Sequence, residues 1–538
     1  MKIFLKLKTL LVISIISFTL NIYSQDGTID LSFGTDGWVF ASIEDRKSGG
    51  SDVAVQTDGK IVVVGTYNNG SNDDFIVTRY NQDGTIDLTF GTNGVTIIPV
   101  GPTFDVAICV AIQDDGKIIV AGYVIGTDSN DFGLARVNSD GTIDSTFGTD
   151  GRVITPIGDQ QDYLTAIKIQ SDGKIVAVGY PQGGDVNLYD AMIVRYLSNG
   201  ELDNSFGNGG IITTDFNGGA DAFNDVTIQR DGKIIVAGYT NNKVSLRKEI
   251  FLVRYNVDGS LDTSFDGTGM VTKLVPLTPG AYTSTYSYAV AVQKDGKILV
   301  AGESFPKIVL LRYSSDGTLD STFGTDGIVI TAGKDSLNQS TPNSILVQDN
   351  GQFIVTGHSY LEGTRMATAI RYNDDGSIDE TFGDNGFAFA NTEGGFYYGA
   401  KSTMQSDGKI LISGRDLVAG VGRIGLVRIN NTGTPVTDVD LNNSIILNEF
   451  ELLQNYPNPF NPTTMISFKI AKEDNYKLQV FNLLGEEVAT LVNKTLQNGI
   501  YVINFNVNST NKRLTSGVYF YTLSSGSMGI TKKMILLR

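Results

Sequence analysis

A short phrase, Gln-x-Asp-Gly-Lys or a close variant, occurs seven times in this chain at intervals of 55 to 64 residues. Its glycines are Gly59, Gly116, Gly173, Gly232, Gly296, Gly351 and Gly408. A second phrase, Asp-Gly-Thr-Ile-Asp-x-x-Phe-Gly, recurs with a similar period, and its first glycines are Gly27, Gly84, Gly141, Gly200, Gly259, Gly317 and Gly376. Because two independent markers share one period, the chain is predicted to be an array of equivalent structural units.

Each unit contains four short apolar runs, which predict four β-strands. In the second unit these runs are Val106 to Gln113, Lys117 to Gly122, Phe132 to Asn138 and Arg152 to Ile157. Asp115-Gly116 between the first two runs favours a two-residue type I′ hairpin, in which both residues adopt positive φ. Four short strands per unit at this spacing are typical of a β-propeller blade.

The two ends of the array predict how a ring closes. Before its first complete blade the chain supplies only a fourth strand, Gly37 to Ile43, whereas the last unit has three strands and then stops at Asn431. The amino-terminal strand is therefore predicted to complete the last blade. The expected fold class is an all-β, seven-bladed propeller without open sheet edges.

Four residue types recur once per unit and are explained by the scaffold. The arginines are Arg79, Arg136, Arg195, Arg254, Arg312, Arg371 and Arg428; the aspartates are Asp30, Asp87, Asp144, Asp203, Asp262, Asp320 and Asp379; the glutamines are Gln56, Gln113, Gln170, Gln229, Gln293, Gln348 and Gln405; the phenylalanines are Phe33, Phe90, Phe147, Phe206, Phe265, Phe323 and Phe382. We interpret the Arg and Asp residues as buried pairs, the Gln residues as partners of turn backbone groups, and the Phe residues as core between blades.

The amino terminus has the pattern of a secretory signal peptide over residues 1–24. Three lysines, Lys2, Lys6 and Lys8, precede an uncharged and mostly apolar run from Thr9 to Leu20 that is too short to span a bilayer. We predict cleavage before Gln25; a membrane anchor is the alternative interpretation.

Composition limits the chemistry. With one His and one Cys (Cys109), the chain has no multi-histidine site, cysteine-cluster metal site or intramolecular disulfide. The 58 acidic against 41 basic residues argue against nucleic acid as a partner. No second segment of the sequence is apolar enough for a transmembrane helix, and we expect a monomer.

The unit AVQxDGKIVVAG followed by RYNxDGTIDxTFGTxG resembles the delta-60 repeat family of secreted bacterial β-propellers. The resemblance covers residues 26–430, and we assign 25–430 to the propeller. Local departures occur at Phe265-Asp266-Gly267 and at Asn350-Gly351-Gln352. The resemblance implies a fold and no single activity.

After a polar linker at 431–450, residues 451–538 contain alternating strands and turns that predict a small Ig-like β-sandwich. Four blocks resemble the type A C-terminal sorting domain of the type IX secretion system: Asn455 to Thr464, Leu484 to Val488, Ser516 to Tyr521 and Lys532 to Arg538. The resemblance implies that the type IX machinery is a partner and that a Bacteroidetes-like cell secretes the protein or displays it on its surface. An ordinary Ig-like binding module is the alternative.

The Asp-Gly turns could also bind calcium. Asn81, Asp83 and Asp87, and likewise Asn373, Asp375 and Asp379, place oxygen ligands at short spacing around a glycine. The distant bidentate Glu of an EF-hand loop is absent, and Asp-Gly turns also arise for backbone reasons alone. We therefore expect no cofactor and keep calcium in these loops as the alternative.

The loops between strands two and three and between strands four and one share one end of the propeller, which we call the variable face. Examples are residues 181–190, 240–249, 275–288 and 391–398. Function usually lies on such loops because the scaffold holds them rigidly. The candidate ligand-binding residues there are Tyr123, Tyr180, Tyr239, Glu303, His358, Arg415, Tyr286 and Tyr397.

Three functional interpretations stay open. The favoured one is a non-catalytic propeller that binds a glycan or a protein through these aromatic and charged groups. The second is an extracellular carbohydrate-active hydrolase or lyase that uses carboxylates such as Asp52, Asp225 and Glu303 at the channel mouth. The third is a structural or adhesive surface protein. No nucleophile motif, phosphate loop or metal cluster is recognised, so no catalytic residue is assigned.

Overall fold

The computed structural model describes residues 26–435 and 451–537, apart from 45, 127–128, 183–188, 217, 243–246, 276–283, 334–339, 362, 393–394, 419, 453–454, 456–457, 471–473, 484, 497–498, 508–513 and 526–527. The predicted signal peptide and most of the predicted linker lie outside the described residues. The chain divides into two compact units, Met1–Val436 and Thr437–Arg538. Among the described residues, no helix has the length and apolar character needed to span a bilayer.

The described residues of the first unit form seven four-stranded antiparallel sheets. The first strand, β1 (Trp38–Ala41), belongs to the last sheet. The other strands, sheet by sheet, are β2 (Ser48–Val55), β3 (Ile61–Asn68), β4 (Asp73–Tyr80) and β5 (Val95–Ile98); β6 (Asp105–Ile112), β7 (Ile118–Ile125), β8 (Asn130–Val137) and β9 (Arg152–Thr155); β10 (Gln161–Ile169), β11 (Ile175–Gln182), β12 (Ala191–Tyr196) and β13 (Ile211–Thr214); β14 (Asp221–Ile228), β15 (Ile234–Asn242), β16 (Arg247–Tyr255) and β17 (Met270–Lys273); β18 (Tyr286–Val292), β19 (Ile298–Ser304), β20 (Lys307–Tyr313) and β21 (Ile328–Thr331); β22 (Ser340–Val347), β23 (Phe353–Leu361), β24 (Thr364–Tyr372) and β25 (Phe387–Ala390); and β26 (Phe396–Met404), β27 (Ile410–Val418) and β28 (Val421–Ile429).

The first strands of consecutive sheets contact one another all the way round, from β2 through β6, β10, β14, β18, β22 and β26 back to β2. The seven sheets therefore form a ring around a central channel, and we refer to them as blades 1 to 7. The amino-terminal strand closes this ring, because β1 pairs antiparallel with β28, from Trp38 opposite Val427 to Ala41 opposite Ile424. The predicted propeller and its closure are confirmed.

The hairpin between the first and second strands differs from the sequence prediction. The Gly116 N–H donates to the Gln113 carbonyl at 2.8 Å, and the Gln113 N–H donates to the Lys117 carbonyl at 2.8 Å, so three residues form the loop. Gly116 has a φ of 81°, whereas Asp115 keeps a negative φ and accepts the Lys117 N–H on its carboxylate. A type I′ turn would need positive φ at both positions, so that prediction is wrong; the turn is a three-residue loop with glycine in the left-handed region.

Hydrophobic cores lie between neighbouring blades. Seven buried clusters occupy the seven blade interfaces, including one between blades 7 and 1 that contains Phe33, Val53 and Leu426. The repeated phenylalanines are all fully buried, which confirms their predicted role. Cys109 is buried in the cluster between blades 2 and 3, as expected for a small apolar residue.

The repeated arginines join blades as well as strands. Arg79 donates from Nε to Asp87 Oδ2 at 2.8 Å, contacts Gln56, and donates from a terminal nitrogen to the Ser139 carbonyl of blade 2. The guanidinium also lies over a repeated phenylalanine, here Phe90, at 4.4 Å from the ring centroid. Corresponding Nε–Oδ2 distances in the other six blades are 2.6 to 2.8 Å. The predicted buried pairing of Arg with Asp is confirmed, and it belongs to the scaffold.

The second unit contains two sheets in its described residues. One sheet has β29 (Glu451–Leu452), β30 (Thr463–Ile470) and β33 (Gly499–Asn506); the other has β31 (Asp474–Phe481), β32 (Glu487–Leu496), β34 (Gly517–Ser525) and β35 (Met528–Leu536). They enclose one hydrophobic core, which makes the unit a β-sandwich. The Phe460 N–H donates to the Ile535 carbonyl at 2.9 Å, so the proline-rich segment is attached to the last strand.

Candidate functional site

Seven tyrosines from blades 2 to 5 form a continuous series of contacts on the variable face. They are Tyr123, Tyr163, Tyr180, Tyr189, Tyr239, Tyr286 and Tyr288, and we call them the tyrosine arc. Most of them lie near the ends of second strands or the starts of first strands, which meet at this face. Parts of the neighbouring loops, at 183–188, 243–246 and 276–283, lie outside the described residues.

The arc is continuous from ring to ring. The centroids of Tyr123 and Tyr163 are 4.9 Å apart, and Tyr163 stacks on Tyr180 at 5.7 Å. Tyr180 in turn stacks on Tyr189 at 5.9 Å. Since edge-to-face and stacked pairs of this spacing are mutually favourable, each ring restricts the orientation of the next.

The arc continues across blades 4 and 5. The hydroxyl oxygens of Tyr189 and Tyr239 are 2.9 Å apart, within hydrogen-bond distance. Tyr239 packs edge-on against Tyr286 at 5.2 Å, and Tyr286 stacks on Tyr288 at 6.3 Å. Tyr288 occupies the β-bulge of β18, where the register shifts between Ser287 and Ala289. A bulge re-aims a side chain, and here it places the last ring of the arc beside Tyr286.

Lys248 lies over two rings of the arc. Its Nζ is 4.1 Å from the centroid of Tyr239 and 4.8 Å from that of Tyr286. Burial lowers the pKa of Lys248 and raises the pKa of Tyr180 to about 12. The arc presents the partly exposed rings of six tyrosines around Tyr239, which is buried.

A pocket of 590 Å³ adjoins the arc on the variable face, and its lining includes three basic residues, Lys47, Lys401 and Arg415, and one acidic residue, Asp73; we call it the basic pocket. The absence of a Cβ makes room for Arg415. A Cβ on Gly49 would lie 3.0 Å from Arg415 Cδ, and one on Gly422 would lie 2.1 Å from its Nε. The two glycines thus leave space for the guanidinium in this pocket. The basic side chains of the pocket are suited to binding a carboxylate or a sulfate.

Three charged residues of the channel wall occupy the same position of the repeat in three different blades. Asp52, Asp225 and Lys401 each follow the bulge of a first strand, in blades 1, 4 and 7. Asp52 accepts the Val110 N–H at 3.0 Å, and Asp225 accepts the Val290 N–H at 2.9 Å, in each case from the next blade. These two carboxylates lie at mid-strand inside the channel and bond to the scaffold.

The three charges are coupled. Burial raises the pKa of Asp52, although Lys401 and two backbone N–H groups oppose the shift. Burial alone would lower the pKa of Lys401, but the charges of Asp225 and Asp52 raise it above its ordinary value. Lys401 therefore compensates both carboxylates in the channel wall, and Lys168 adds a further positive charge near Asp52.

The structure brings four of the eight candidate residues together. Tyr123, Tyr180, Tyr239 and Tyr286 belong to the arc, and Arg415 lines the basic pocket. Glu303 is buried opposite Tyr286 in the β18–β19 register and accepts a hydrogen bond from Thr341 at 3.0 Å. His358 and Tyr397 are the remaining two candidates.

His358 is more than half buried on blade 6, and burial together with the charge of Arg365 lowers its pKa to about 4. It is therefore neutral at physiological pH, and a general base with so low a pKa is weak. The backbone of Tyr397 pairs with Arg415, while its side chain lies outside the described part of the structure.

Six residues of these surfaces were absent from the sequence-based candidates: Tyr163, Tyr189, Tyr288, Lys47, Lys248 and Lys401. Tyr189 and Lys248 lie within variable segments, so a search for aromatic and cationic groups there would find them. Lys401 could have been found by aligning the repeats, because it takes the place of Asp52 and Asp225. Tyr163 starts a first strand and carries no comparable signal.

The Asp-Gly turns use their oxygens within the scaffold. Asp83 accepts the Thr85 N–H and hydroxyl, at 2.9 and 2.7 Å. Asp87 accepts Arg79, Lys60 and Thr89 on its two oxygens. Although burial alone would raise it, hydrogen bonds from Lys60 and Thr89 and the charge of Arg79 hold the pKa of Asp87 well below its usual range. These carboxylates are thus occupied by protein donors, which argues against the calcium alternative in these loops.

A larger groove of 1490 Å³ lies between the outer strands β1 and β5 and is lined by Trp38, Phe40 and repeated turn residues. A groove of the same kind, 420 Å³, lies between β21 and β25. Because the feature recurs at blade edges, we assign it to the scaffold.

Two sequence families match the chain. A family described as a β-propeller domain of unknown function (DUF5122) matches residues 56–90, 113–147, 170–206, 229–265, 293–323 and 405–435. The repeat it leaves unmatched is the one that carries Asn350-Gly351-Gln352. A second family, described as a secretion system C-terminal sorting domain, matches residues 454–537. No curated protein matches the chain.

Solved structures resemble the chain at low sequence identity. A catalytically inactive virginiamycin B lyase from Staphylococcus aureus, with quinupristin, is 13% identical, with a TM-score of 0.42 over 73% of this chain and 99% of the lyase. The β-propeller domain of the Trilobed protease from Pyrococcus furiosus is 13% identical, with a TM-score of 0.40 over 75% of this chain and 99% of that domain. A Lactobacillus plantarum protein is 14% identical, with a TM-score of 0.40 over 64% and 88%. At these values the likeness supports no inference about activity.

Proposed function

This chain is a β-propeller of delta-60-type repeats with a type IX C-terminal sorting domain, and we propose that it is a non-catalytic protein that binds an acidic glycan outside the cell. The sorting domain indicates secretion and cell-surface localisation and implies contact with the type IX machinery. The predicted signal peptide, residues 1–24, would provide the earlier step across the inner membrane.

The tyrosine arc is the observation that carries the proposal. A hexose has apolar C–H faces and a rim of hydroxyl groups, and a tyrosine offers a complementary apolar ring and a hydroxyl. The five ring pairs of the arc have centroids 4.9 to 6.3 Å apart, which is close to the length of one sugar unit in a chain, and Tyr189 and Tyr239 are joined through their hydroxyls. Since packed tyrosines lose little conformational freedom on binding, such a surface is favourable for recognition.

The basic pocket supports an acidic ligand. It meets the arc at blade 2, where Val106, which lines the pocket, pairs with Tyr123. A glycan whose sugar rings lie on the tyrosines could place a carboxylate or sulfate beside Arg415. Arg is well suited to such groups because its guanidinium donates two parallel hydrogen bonds.

The charged groups of the channel favour binding over catalysis. Asp52 and Asp225 each bond to a backbone N–H of the next blade, and Glu303 accepts from Thr341. His358 is neutral at physiological pH. These residues stabilise the channel wall and adjoining strands.

A glycan array probed with the mature chain from Gln25 tests the proposal. We expect acidic polysaccharides to be retained by the wild type and lost by the Tyr180→Ala, Tyr286→Ala double variant. Tyr360→Ala is the matched control, because Tyr360 is a partly buried strand residue on blade 6 that packs under Arg365, outside the arc. Equal glycan binding by all three proteins, or binding to a peptide array alone, would contradict the proposal.

A further inference from the structure

Three carboxylates meet where blades 3 and 4 adjoin. One oxygen each of Asp190, Asp215 and Asp221 lies within 4.8 Å of the other two. They come from three different segments: Asp190 precedes β12, Asp215 follows β13, and Asp221 begins β14. Asp190 follows Tyr189 of the arc in sequence, so this cluster lies on the variable face.

Asp221 is the buried member of this cluster and has no exposed surface. Its Oδ2 accepts the Phe216 N–H at 2.6 Å. Its Oδ1 is buried and makes no hydrogen bond of normal geometry, and the Thr240 hydroxyl, opposite Asp221 in the β14–β15 register, is the neighbouring donor. In the described part of the chain, none of the three carboxylates forms an ion pair with Lys or Arg. A buried acceptor without a hydrogen bond of normal geometry is costly, and two further carboxylates beside it add like-charge repulsion.

The preceding blade junctions contain only part of this arrangement. Asp105 and Asp162 begin their first strands as Asp221 does, and each accepts the N–H five residues earlier, from Val100 and Ile157. The residue before that donor is Pro99, Pro156 or Asp215, respectively. The third carboxylate thus replaces a proline at the junction of blades 3 and 4, and the scaffold does not require it there.

We propose that Asp190, Asp215 and Asp221 bind a calcium ion, with water completing the coordination shell. Three carboxylates are hard oxygen ligands, and Ca²⁺ accepts irregular sets of them, whereas Mg²⁺ demands near-ideal octahedral geometry. The cation would supply a partner for Asp221 Oδ1 and would offset the repulsion among the three charges. Extracellular calcium modules commonly bind on the order of 10⁻⁴ to 10⁻³ M, which suits a secreted protein.

Calcium titration of the mature chain tests the site independently of any glycan. Isothermal calorimetry with CaCl₂ should show one ion bound by the wild type, and binding at least tenfold weaker in Asp215→Asn and in Asp190→Asn. Asp215 is exposed and Asp190 is partly exposed, so both variants are expected to fold. Asp159→Asn, an exposed carboxylate of the preceding junction, is the matched control and should bind as the wild type does.

A second measurement tests the site if the heat of calcium binding is too small for calorimetry. Terbium luminescence excited through tyrosine should appear in the wild type and in Asp159→Asn, because Tyr189 adjoins the site, and should be lost in Asp215→Asn. The proposal is overturned if the wild type binds no Ca²⁺ up to about 10 mM, an order of magnitude beyond the expected range. It is equally overturned if Asp215→Asn and Asp190→Asn bind Ca²⁺ as tightly as the wild type.

Discussion

Arg428 donates from Nε to Oδ2 of Asp30 across 2.7 Å, although 398 residues separate them in the chain. In every other blade the equivalent partners are 8 residues apart. Lys409 also donates to Asp30 Oδ2, at 2.8 Å. The contact that stabilises each blade locally therefore also joins the two ends of the ring.

Asp30→Asn should weaken this closure. Removing the carboxylate leaves Arg428 buried without its charged partner, and breaking a buried pair in this way costs about 3–5 kcal/mol. Urea unfolding of the mature chain should show a loss in that range. The matched control is Asp203→Asn, which removes the same pair within blade 3.

Hydrogen exchange separates closure from general destabilisation. Amides of β1 should exchange faster in Asp30→Asn than in Asp203→Asn at equal overall stability, because only the first variant releases the closing strand. Equal protection of β1 in the two variants would contradict a closing role for Asp30.

Lys401→Met should destabilise the channel wall. The substitution removes the positive charge that compensates Asp52 and Asp225. Because both carboxylates then lie in the channel wall without this charge, we expect the free energy of unfolding to fall by about 3 kcal/mol. Adding Asp52→Asn to Lys401→Met should recover part of that loss. A double-mutant cycle by urea unfolding measures the coupling, and additive effects of the two changes would show that the charges act independently.

Asp162 should make stability depend on pH near neutrality. Burial raises the pKa of this carboxyl to about 7, against about 3.9 in the unfolded chain. Between these values the folded state holds a proton that the unfolded state has released, so the free energy of unfolding rises as the pH falls from 8 to 5. One such proton contributes at most about 1.4 kcal/mol per pH unit.

The Asp162→Asn variant isolates this effect because its side chain does not titrate. Urea unfolding at pH 8, 7, 6 and 5 should show the wild type gaining stability relative to the variant on acidification. If the two stabilities run parallel over this range, the Asp162 carboxyl has no raised pKa.

The ring could be predicted from the sequence because its information repeats. Strand period, turn glycines and the Arg–Asp pair recur in every unit, so each copy supports the interpretation of the others. The closing strand followed from counting strand types at the two ends. The prediction of a type I′ turn was wrong because Asp-Gly is compatible with both a two-residue and a three-residue loop. Only the φ of the residue before Gly116 distinguishes the two loops.

The binding surface could be predicted only in part. Tyr123, Tyr180 and Tyr239 share a repeat position, which indicated one face, but their connection depends on Tyr163 and Tyr189. Contacts between blades depend on how neighbouring sheets pack, and no local pattern specifies this. The meeting of Asp190, Asp215 and Asp221 is of the same kind, since it joins segments from both sides of a blade interface.

Calorimetric titration of the mature chain with an acidic oligosaccharide that it retains on the array tests the central claim most directly. Affinity should rise with oligosaccharide length, since the arc crosses four blades, and Tyr180→Ala should weaken binding about tenfold, which equals about 1.4 kcal/mol. Tyr360→Ala should leave the affinity unchanged. Unaltered affinity in Tyr180→Ala would show that the tyrosine arc is not the binding surface.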